Sequence, residues 1–332
     1  MDQQIVSDFN RTPVVQIVTW LCLVLSILAF FTHTGIKLYA SNSLSVETIL
    51  VFLSLVFGSA QSISVSLQCS NGFGKPSNTL EDGQIEAMLK SEYAATLLLF
   101  CSIAFSKFTL VAFIHGLVAK PSDVYINYGL GGFALAWLVV SIFVSAFQCQ
   151  LPSPWDKTRP DCINFLSWWN TVAAMNIISE IAMVGLEIKI IMPLQMPRAR
   201  KASIISLFAC RLLIVVAAAI QLYLFHKDSS SPRKDDLTLG YWQSTIGNQV
   251  VQCLGIITTT LPYAKLFMES FESGLIRVNN VRWKEGQLIN DSERTYKLLD
   301  VSRSSQPAQQ SLHHGISTAR AYTVNSLPNR TT

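Results

Sequence analysis

The sequence contains few charged residues for its length. Of 332 residues, 14% are Asp, Glu, Lys or Arg, whereas 50% are hydrophobic. Soluble domains carry about 25% charged residues. This deficit argues against a water-soluble globular protein and is expected of helices that lie in lipid. The formal net charge is only +4, and nothing in the sequence indicates binding of nucleic acid.

The common catalytic and metal-binding motifs are also missing. The seven cysteines include no C-x-x-C pair, which argues against a zinc ribbon or a thioredoxin-like site. There is no Walker-type phosphate loop, no G-x-S-x-G elbow and no H-E-x-x-H helix. These motifs therefore predict no catalytic site, metal site or cofactor.

Long apolar windows are the main feature that is present. A helix needs roughly 20 mostly apolar residues to cross the hydrocarbon core. Seven windows approach or exceed this length: 14–36, 46–67, 93–117, 128–147, 165–190, 203–224 and 244–267. The first is too long for the apolar region of a signal peptide, so we interpret it as a retained span. The prediction is an all-α, multi-pass membrane protein built as a seven-transmembrane-helix bundle.

Composition divides the chain into three parts. We predict a short outer segment at 1–13, the membrane domain at 14–275 and a cytosolic tail at 276–332. The tail is rich in Ser, Gln, Thr and Asn and cannot bury enough apolar surface to offset its ordering entropy. We expect it to be disordered, either as a plain solvated chain or as a segment that is phosphorylated or binds a partner.

Basic residues in the short connections indicate the orientation. Cytoplasmic loops carry an excess of Lys and Arg. Placing the N-terminus outside puts Arg198, Arg200 and Lys201 in an inner loop, whereas the basic residues of the outer loops are accompanied by acidic ones. Asn10 then lies in an outer Asn-Arg-Thr triplet, and we predict that it is glycosylated. The membrane is the plasma membrane or an endomembrane.

Three charged residues fall at similar depths inside the predicted spans. Lys107 lies in the third span, Glu180 in the fifth and Arg211 in the sixth. A charge that faces lipid at the middle of the bilayer costs at least about 2.5–3.5 kcal/mol. We therefore predict that these residues form one charged cluster inside the bundle, as a structural ion pair or as a site for a ligand or a proton. Glu187 and His115 lie nearer the inner boundary, where we expect them to reach toward the headgroups.

Two cysteines bracket one of the predicted outer loops. Cys149 and Cys162 lie on the side where oxidation is permitted, and we predict a disulfide between them. Cys69, on the same side, is then the odd thiol or competes for a partner.

Tryptophans also cluster near the outer boundary. They are Trp155, Trp168, Trp169 and Trp242. An interfacial belt would account for them. The alternative is that they cover a pocket that opens outward.

Three stretches of the chain resemble a known family. They are Phe147-Gln148-Cys149 with Trp155-Asp156 and Cys162, Asn176-Ile177-Ile178-Ser179-Glu180, and Leu261-Pro262 with Glu269-Ser270-Phe271-Glu272-Ser273-Gly274. Together they are similar to the fungal rhodopsin-like seven-helix integral membrane family, the family of the satratoxin-cluster membrane protein. The resemblance covers residues 14–275. It implies seven helices and a receptor-like protein that accompanies a fungal secondary-metabolite gene cluster.

Retinal chemistry does not follow from this resemblance. A retinal Schiff base needs a lysine that is buried in the middle of the seventh span. The only lysine of that span, Lys265, lies near its inner end. We therefore expect no retinal.

Three functions are compatible with these features. A receptor-like or accessory membrane protein ranks first, with membrane lipid and a small-molecule ligand as its partners and protein partners left open. A metabolite transporter or exporter ranks second, because no internal repeat is visible. A membrane-embedded, cyclase-like enzyme acting on an apolar substrate ranks third. Glu180 and Glu92 could serve it as acids, but no paired acidic motif is present.

Overall fold

Seven helices make up the part of the chain that the computed structural model describes. The described residues are 10–41, 45–118, 120–150, 152–157, 162–193, 205, 209–229 and 238–263. The chain divides into two units, Met1–Phe271 and Glu272–Thr332, and all described residues belong to the first. The tail predicted at 276–332 lies outside the described residues.

The helices follow one another along the chain. In chain order they are α1 (Thr12–Ser41), α2 (Val46–Ser70), α3 (Asp82–Leu117), α4 (Pro121–Ala146), α5 (Phe165–Ile191), α6 (Leu212–Ser229) and α7 (residues 242–263). Among the described residues, α1 to α6 are each long and apolar enough to cross a membrane, and no β-strand occurs. The prediction of an all-α, multi-pass membrane bundle is confirmed.

Polar residues lengthen α3 beyond the predicted third span. The apolar window begins at 93, whereas α3 begins at Asp82. Glu81 precedes the helix and forms a capping box with Gln84, in which the Glu81 N–H donates to Gln84 Oε1 at 3.2 Å. Lys90 pairs with Glu86, one turn away, at 2.8 Å. Because such contacts stabilise the first turns of a helix, α3 extends past the segment that hydrophobicity marks.

The sixth helix also differs from its predicted span of 203–224. It continues to Ser229, and its last turns bury Phe225 and Asp228. Asp228 Oδ2 accepts a hydrogen bond from the Ser244 N–H at 3.3 Å, which joins the end of α6 to the start of α7. Residues 210–211 form a turn between the helical residue 209 and α6. The predicted start of the span, at 203–204, lies outside the described residues.

Backbone contacts gather three segments at one end of the bundle, which we call the N-terminal end. The Arg11 N–H donates to the Gly74 carbonyl at 2.9 Å, and the Gly74 N–H donates to the Thr238 carbonyl at 2.8 Å. Gly74 has φ +90°, and a Cβ there would lie 2.6 Å from the Thr12 nitrogen. The starts of α1 and α7 and the end of α2 therefore lie together. Which side of the membrane this end faces stays a prediction, since the basic loop at 198–201 lies outside the described residues.

Small and polar residues join the helices in the interior. Ser54 Oγ donates to the Ser102 carbonyl at 2.8 Å, and Ser102 Oγ donates back to the Ser54 carbonyl at 2.9 Å. Gln252 Nε2 donates to the Gly58 carbonyl at 3.2 Å, which ties α7 to α2. Helices in lipid associate through close packing of small residues and through interhelical hydrogen bonds rather than through the hydrophobic effect.

Gly247 lies where α7 approaches α6 closely. A Cβ at this position would lie 2.8 Å from both Cβ and Cγ of Gln221. Those atoms lie close to the α6 backbone, so a new methyl group would have to push the two helices apart.

We predict that Gly247→Ala lowers the free energy of unfolding by about 1–3 kcal/mol, the usual cost of overpacking. The measurement is thermal unfolding of the protein purified in detergent. Gly129→Ala in α4 is the matched control, because a Cβ there meets no atom within 4 Å and alanine is the better helix former. Equal stability of the two variants would contradict the close approach.

Candidate functional site

The structure brings Lys107, Glu180 and Arg211 together inside the bundle. Lys107 Nζ lies 3.0 Å from Glu180 Oε1, and Arg211 Nη2 lies 2.8 Å from Glu180 Oε2. The side chains of the three residues are 1%, 4% and 1% exposed. One carboxylate therefore bridges two cations away from lipid. We call these three residues the charged cluster.

Lys107 has further partners on α5 and α4. Its Nζ donates to the Asn176 carbonyl at 3.3 Å and to Ser179 Oγ. Ser179 Oγ itself donates to the Asn176 carbonyl at 2.7 Å. The ammonium group also lies 5.8 Å from the centre of the Trp137 ring. These contacts, together with Glu180, use the three donors of the ammonium group and offset much of the cost of its burial.

Arg211 connects the charged cluster to α7. Its Nη1 donates to Thr259 Oγ1 at 3.4 Å. Thr259 Oγ1 lies 2.9 Å from Ser106 Oγ, and Ser106 Oγ donates to the Gly255 carbonyl at 2.7 Å. The cluster thus joins α3, α5 and α7 to the segment that enters α6.

Arg211 does not lie within a continuous sixth helix, as its place in the predicted span implied. It occupies the turn at 210–211, where the Leu213 N–H donates to the Cys210 carbonyl at 3.1 Å and the Ile214 N–H donates to the Arg211 carbonyl at 2.9 Å. These bonds span three residues instead of four, which tightens the chain at this point.

Glu187 is a fourth charged residue in the interior, and the expectation that it reaches the headgroups is wrong. It is 2% exposed, and neither carboxyl oxygen has a hydrogen-bond partner in the described part of the chain. It follows Glu180 by seven residues, which is close to two helical turns and the same face of α5. His115, by contrast, is exposed.

The connection between α4 and α5 folds over the N-terminal end of the bundle. Cys149 Sγ and Cys162 Sγ lie at bonding distance, 2.03 Å, and the Ile163 N–H donates to the Gln148 carbonyl at 2.9 Å. Lys157 Nζ from this connection pairs with Glu92 of α3 at 2.7 Å. Cys69 is a buried free thiol at the end of α2, so it does not compete for either cysteine in this arrangement.

The Asn10 acceptor triplet lies against the connection between α2 and α3. Asn10 is partly buried, and Thr12 Oγ1 donates to the Phe73 carbonyl at 2.6 Å. Glycosylation stays a prediction.

Two adjoining cavities lead from the α4–α5 connection toward the charged cluster. The first, which we call the upper cavity, lies beside Glu92 and Lys157. The volume that the centre of a water molecule can occupy in it is about 60 Å³. The lower cavity offers about 30 Å³ and reaches Trp137 and Asn176, two residues that contact Lys107. Leu99, Trp169 and Asn248 line both cavities. Their walls are therefore continuous.

Five residues that line these two cavities each carry a buried polar atom without a hydrogen-bond partner. In the described part of the chain they are Gln61 Oε1, Gln68 Nε2, Trp169 Nε1, Asn176 Oδ1 and Gln221 Nε2. All five residues are at most 7% exposed. Buried polar groups are nearly always hydrogen-bonded to protein or to ordered water. These five atoms therefore need partners, which ordered water or the polar groups of a small ligand would supply.

Most of this cavity wall was not found from the sequence. Gln61 and Gln68 are seven residues apart, which puts them on one face of α2. This spacing is the sequence pattern that could have indicated a polar wall on α2. Trp169 was expected at the lipid boundary or over a pocket. It lines both cavities and packs among aromatic rings, 5.9 Å from Phe100 and 6.0 Å from Phe225 between ring centres.

A family model described as the fungal rhodopsin domain matches residues 32–270. The chain belongs to the fungal rhodopsin family. No curated protein matches it.

The described residues of this fungal rhodopsin-family protein bear on two kinds of cofactor, a group bound to a lysine and a metal ion. The one lysine that is deeply buried among the described residues, Lys107, lies on α3 and is held by Glu180. Lys265 lies outside the described residues. The described part of the chain contains no group of three or more His, Cys, Asp or Glu that could hold a metal ion.

We predict that Glu180→Gln destabilises the protein by about 3–5 kcal/mol, because it leaves two cations buried without a carboxylate. The Lys107→Gln, Glu180→Gln double variant should lose less stability than the sum of the single variants. Thermal unfolding of the four proteins in detergent measures this coupling. Glu86→Gln, which removes a carboxyl group that is 57% exposed, is the control and should change little. A coupling energy near zero would contradict the cluster.

Glu187→Gln should not destabilise the protein, in contrast to Glu180→Gln on the same face of α5. The reason is that Glu187 makes no hydrogen bond within the described part of the chain, so its replacement removes a costly buried group and no partner. The same unfolding assay compares the two variants. A loss for Glu187→Gln as large as for Glu180→Gln would show that Glu187 pairs with Arg211 or with another cation.

Proposed function

We propose that this protein is a receptor-like membrane protein that binds a small molecule in the two cavities. The observation that supports this most is the set of five buried polar atoms without partners, contributed by α2, α5 and α6 to one continuous wall. A ligand that reaches them would replace water and satisfy hydrogen bonds that the protein leaves open. With the N-terminus outside, as predicted, the ligand would enter from the outer side.

A chain of contacts connects the lower cavity to the turn that precedes α6. Asn176 lines the cavity, and its carbonyl accepts a hydrogen bond from Lys107. Lys107 pairs with Glu180, and Glu180 pairs with Arg211 in the turn before α6. A ligand that moves Asn176 would therefore act on the turn at 210–211 that precedes α6. Such a link is what a receptor needs, provided that the ligand binds two arrangements of this turn with different affinities.

Association with a fungal secondary-metabolite gene cluster is part of the same proposal. Its support is the family resemblance, not the geometry. The ligand would then be a product or a precursor of the neighbouring enzymes.

Export of a metabolite is the second candidate, and the turn at 210–211 is the observation that favours it. Interrupted helices at mid-membrane are typical of transporter binding sites. The enzyme alternative is weaker, because Glu180 is paired with Lys107 and Arg211, and Glu92 is paired with Lys157. Neither carboxylate is placed as an unpaired general acid.

The test uses purified protein in lipid nanodiscs and an organic extract of the producing fungus. We expect the extract to raise the unfolding temperature of the wild type but not of Asn248→Phe, since Asn248 lines both cavities and phenylalanine would fill them. Phe133→Leu is the control and should respond like the wild type, because Phe133 lies in a groove between α4 and α5 and lines neither cavity. An equal response of Asn248→Phe and wild type would contradict binding in the cavities.

Deletion of the gene separates the receptor from the other two functions. An exporter predicts that product is retained in the cells, and an enzyme predicts that a precursor accumulates. The receptor proposal predicts neither, but a changed response to added extract. Retention of the product in the cells would contradict the receptor proposal and support export.

A further inference from the structure

We infer that Cys22 of α1 and Cys253 of α7 form a modification site inside the membrane, where a lipid-soluble hydroperoxide joins the two thiols into a disulfide. We call these two residues the thiol pair. The disulfide connects the first helix of the bundle to the last. The inference does not depend on the proposed function, because neither residue lines the upper or the lower cavity.

The two thiols lie side by side in the fold, although 231 positions separate them in the sequence. Both are among the five cysteines that are free. Cys253 Sγ donates a hydrogen bond to the Cys22 carbonyl at 3.4 Å, and the two thiol groups also interact with each other directly. The backbones of α1 and α7 are therefore close at this level, and the sulfurs can meet by side-chain rotation with little movement of the helices.

The thiol pair lies near the middle of the membrane. α1 and α7 both start at the N-terminal end of the bundle, and Cys22 and Cys253 follow these starts by ten and eleven residues. At about 1.5 Å per residue, both thiols lie roughly 15–17 Å from that end. This is about half the thickness of a hydrocarbon core of about 30 Å. A reagent that oxidises the pair must therefore dissolve in hydrocarbon.

The surroundings of the thiol pair exclude water and border on lipid. The gap among α1, α2 and α7 beside the two thiols has no room for the centre of a water molecule. On α1, by contrast, Leu21 and Leu25 are exposed, and Cys22 between them keeps 7% of its surface exposed. A water-soluble oxidant thus has no aqueous route to the sulfurs, whereas a hydroperoxide dissolved among the acyl chains meets the outer side of α1.

The reaction needs a hydroperoxide as its oxidant. One thiol attacks an oxygen of the O–O bond, its proton passes to the alkoxide that leaves, and a sulfenic acid and an alcohol result. The second thiol attacks the sulfenic sulfur and releases water, which completes the disulfide. The two sulfurs lose two electrons, and the broken O–O bond takes them up. The thiols and the disulfide are all uncharged, so the product leaves no charge in hydrocarbon.

The disulfide would fix α7, a helix that makes contacts elsewhere in the bundle. Gln252, next to Cys253, donates to the Gly58 carbonyl of α2, and Thr259 accepts a hydrogen bond from Arg211 of the charged cluster. A covalent bond to α1 would resist displacement of α7 from both partners. We therefore expect the oxidised protein to unfold at a higher temperature than the reduced one.

The test uses the full chain in lipid nanodiscs treated with cumene hydroperoxide, a membrane-soluble oxidant. Remaining thiols are then alkylated, the protein is digested, and cross-linked peptides are mapped by mass spectrometry. We expect a peptide that joins Cys22 to Cys253 and an unfolding temperature raised by several degrees. Met175 is the internal control for access, because it is 41% exposed and lies ten residues into α5, at a similar depth. Its sulfoxide shows that the oxidant has reached the middle of the membrane.

Variants separate the thiol pair from general oxidation. Cys22→Ser should abolish both the cross-linked peptide and the rise in unfolding temperature. Cys101→Ser is the matched control and should respond like wild type, since Cys101 is a free cysteine of α3 outside the pair.

Three results with wild type alone would overturn the inference, so it stays testable if a variant fails to fold. The first is that both thiols of the pair remain open to alkylation in protein whose Met175 is oxidised. The second is oxidation of the pair to sulfinic or sulfonic acids without a cross-link. The third is a disulfide that joins Cys22 or Cys253 to a different cysteine.

Discussion

The cost of placing a charge in hydrocarbon is the constraint on which the rest of this bundle depends. Lys107 and Arg211 are each 1% exposed, so neither can reach water, and both rely on Glu180. Their positions on different segments force α3, α5 and the chain before α6 to keep one relative placement. Because lipid gives no hydrophobic drive for helices to associate, such a polar contact can specify the arrangement more sharply than apolar packing does.

The depth of a charged residue in the membrane could be predicted from the sequence, whereas the direction in which its side chain leaves the helix could not. Counting residues from the ends of the windows placed Lys107 and Glu180 at the same level, and the structure brings their side chains together. The same counting placed Glu187 near the headgroups, but its side chain faces inward. Position within a span gives the level of a residue in the bilayer, and only the packing of neighbouring helices decides what its side chain meets.

The position of each helix could likewise be predicted from the sequence, whereas the residues at which some helices begin could not. Long apolar windows located all seven helices, since crossing the core demands length and hydrophobicity alone. The start of α3 depends instead on the capping box of Glu81 and Gln84, and the interruption at 210–211 depends on tertiary contacts of Arg211. Neither has a hydrophobic signature. The cavities could not be predicted from the sequence for a related reason. Trp168 and Trp169 are adjacent in sequence, and only the fold places Trp168 in the groove between α4 and α5 and Trp169 in the cavity wall.

Structural and ligand-binding roles of the charged cluster are not exclusive, because Asn176 belongs to both environments. Its carbonyl helps to hold Lys107, while its side-chain Oδ1 has no hydrogen-bond partner in the described part of the chain and the residue lines the lower cavity. A ligand can thus contact the side chain of a residue whose backbone supports the ion pairs. The ion pairs hold the helices where they meet, and Asn176 connects them to the polar wall of the lower cavity. Rigid support below an open polar surface is the arrangement that lets a small molecule be recognised without dismantling the charges that hold the bundle together.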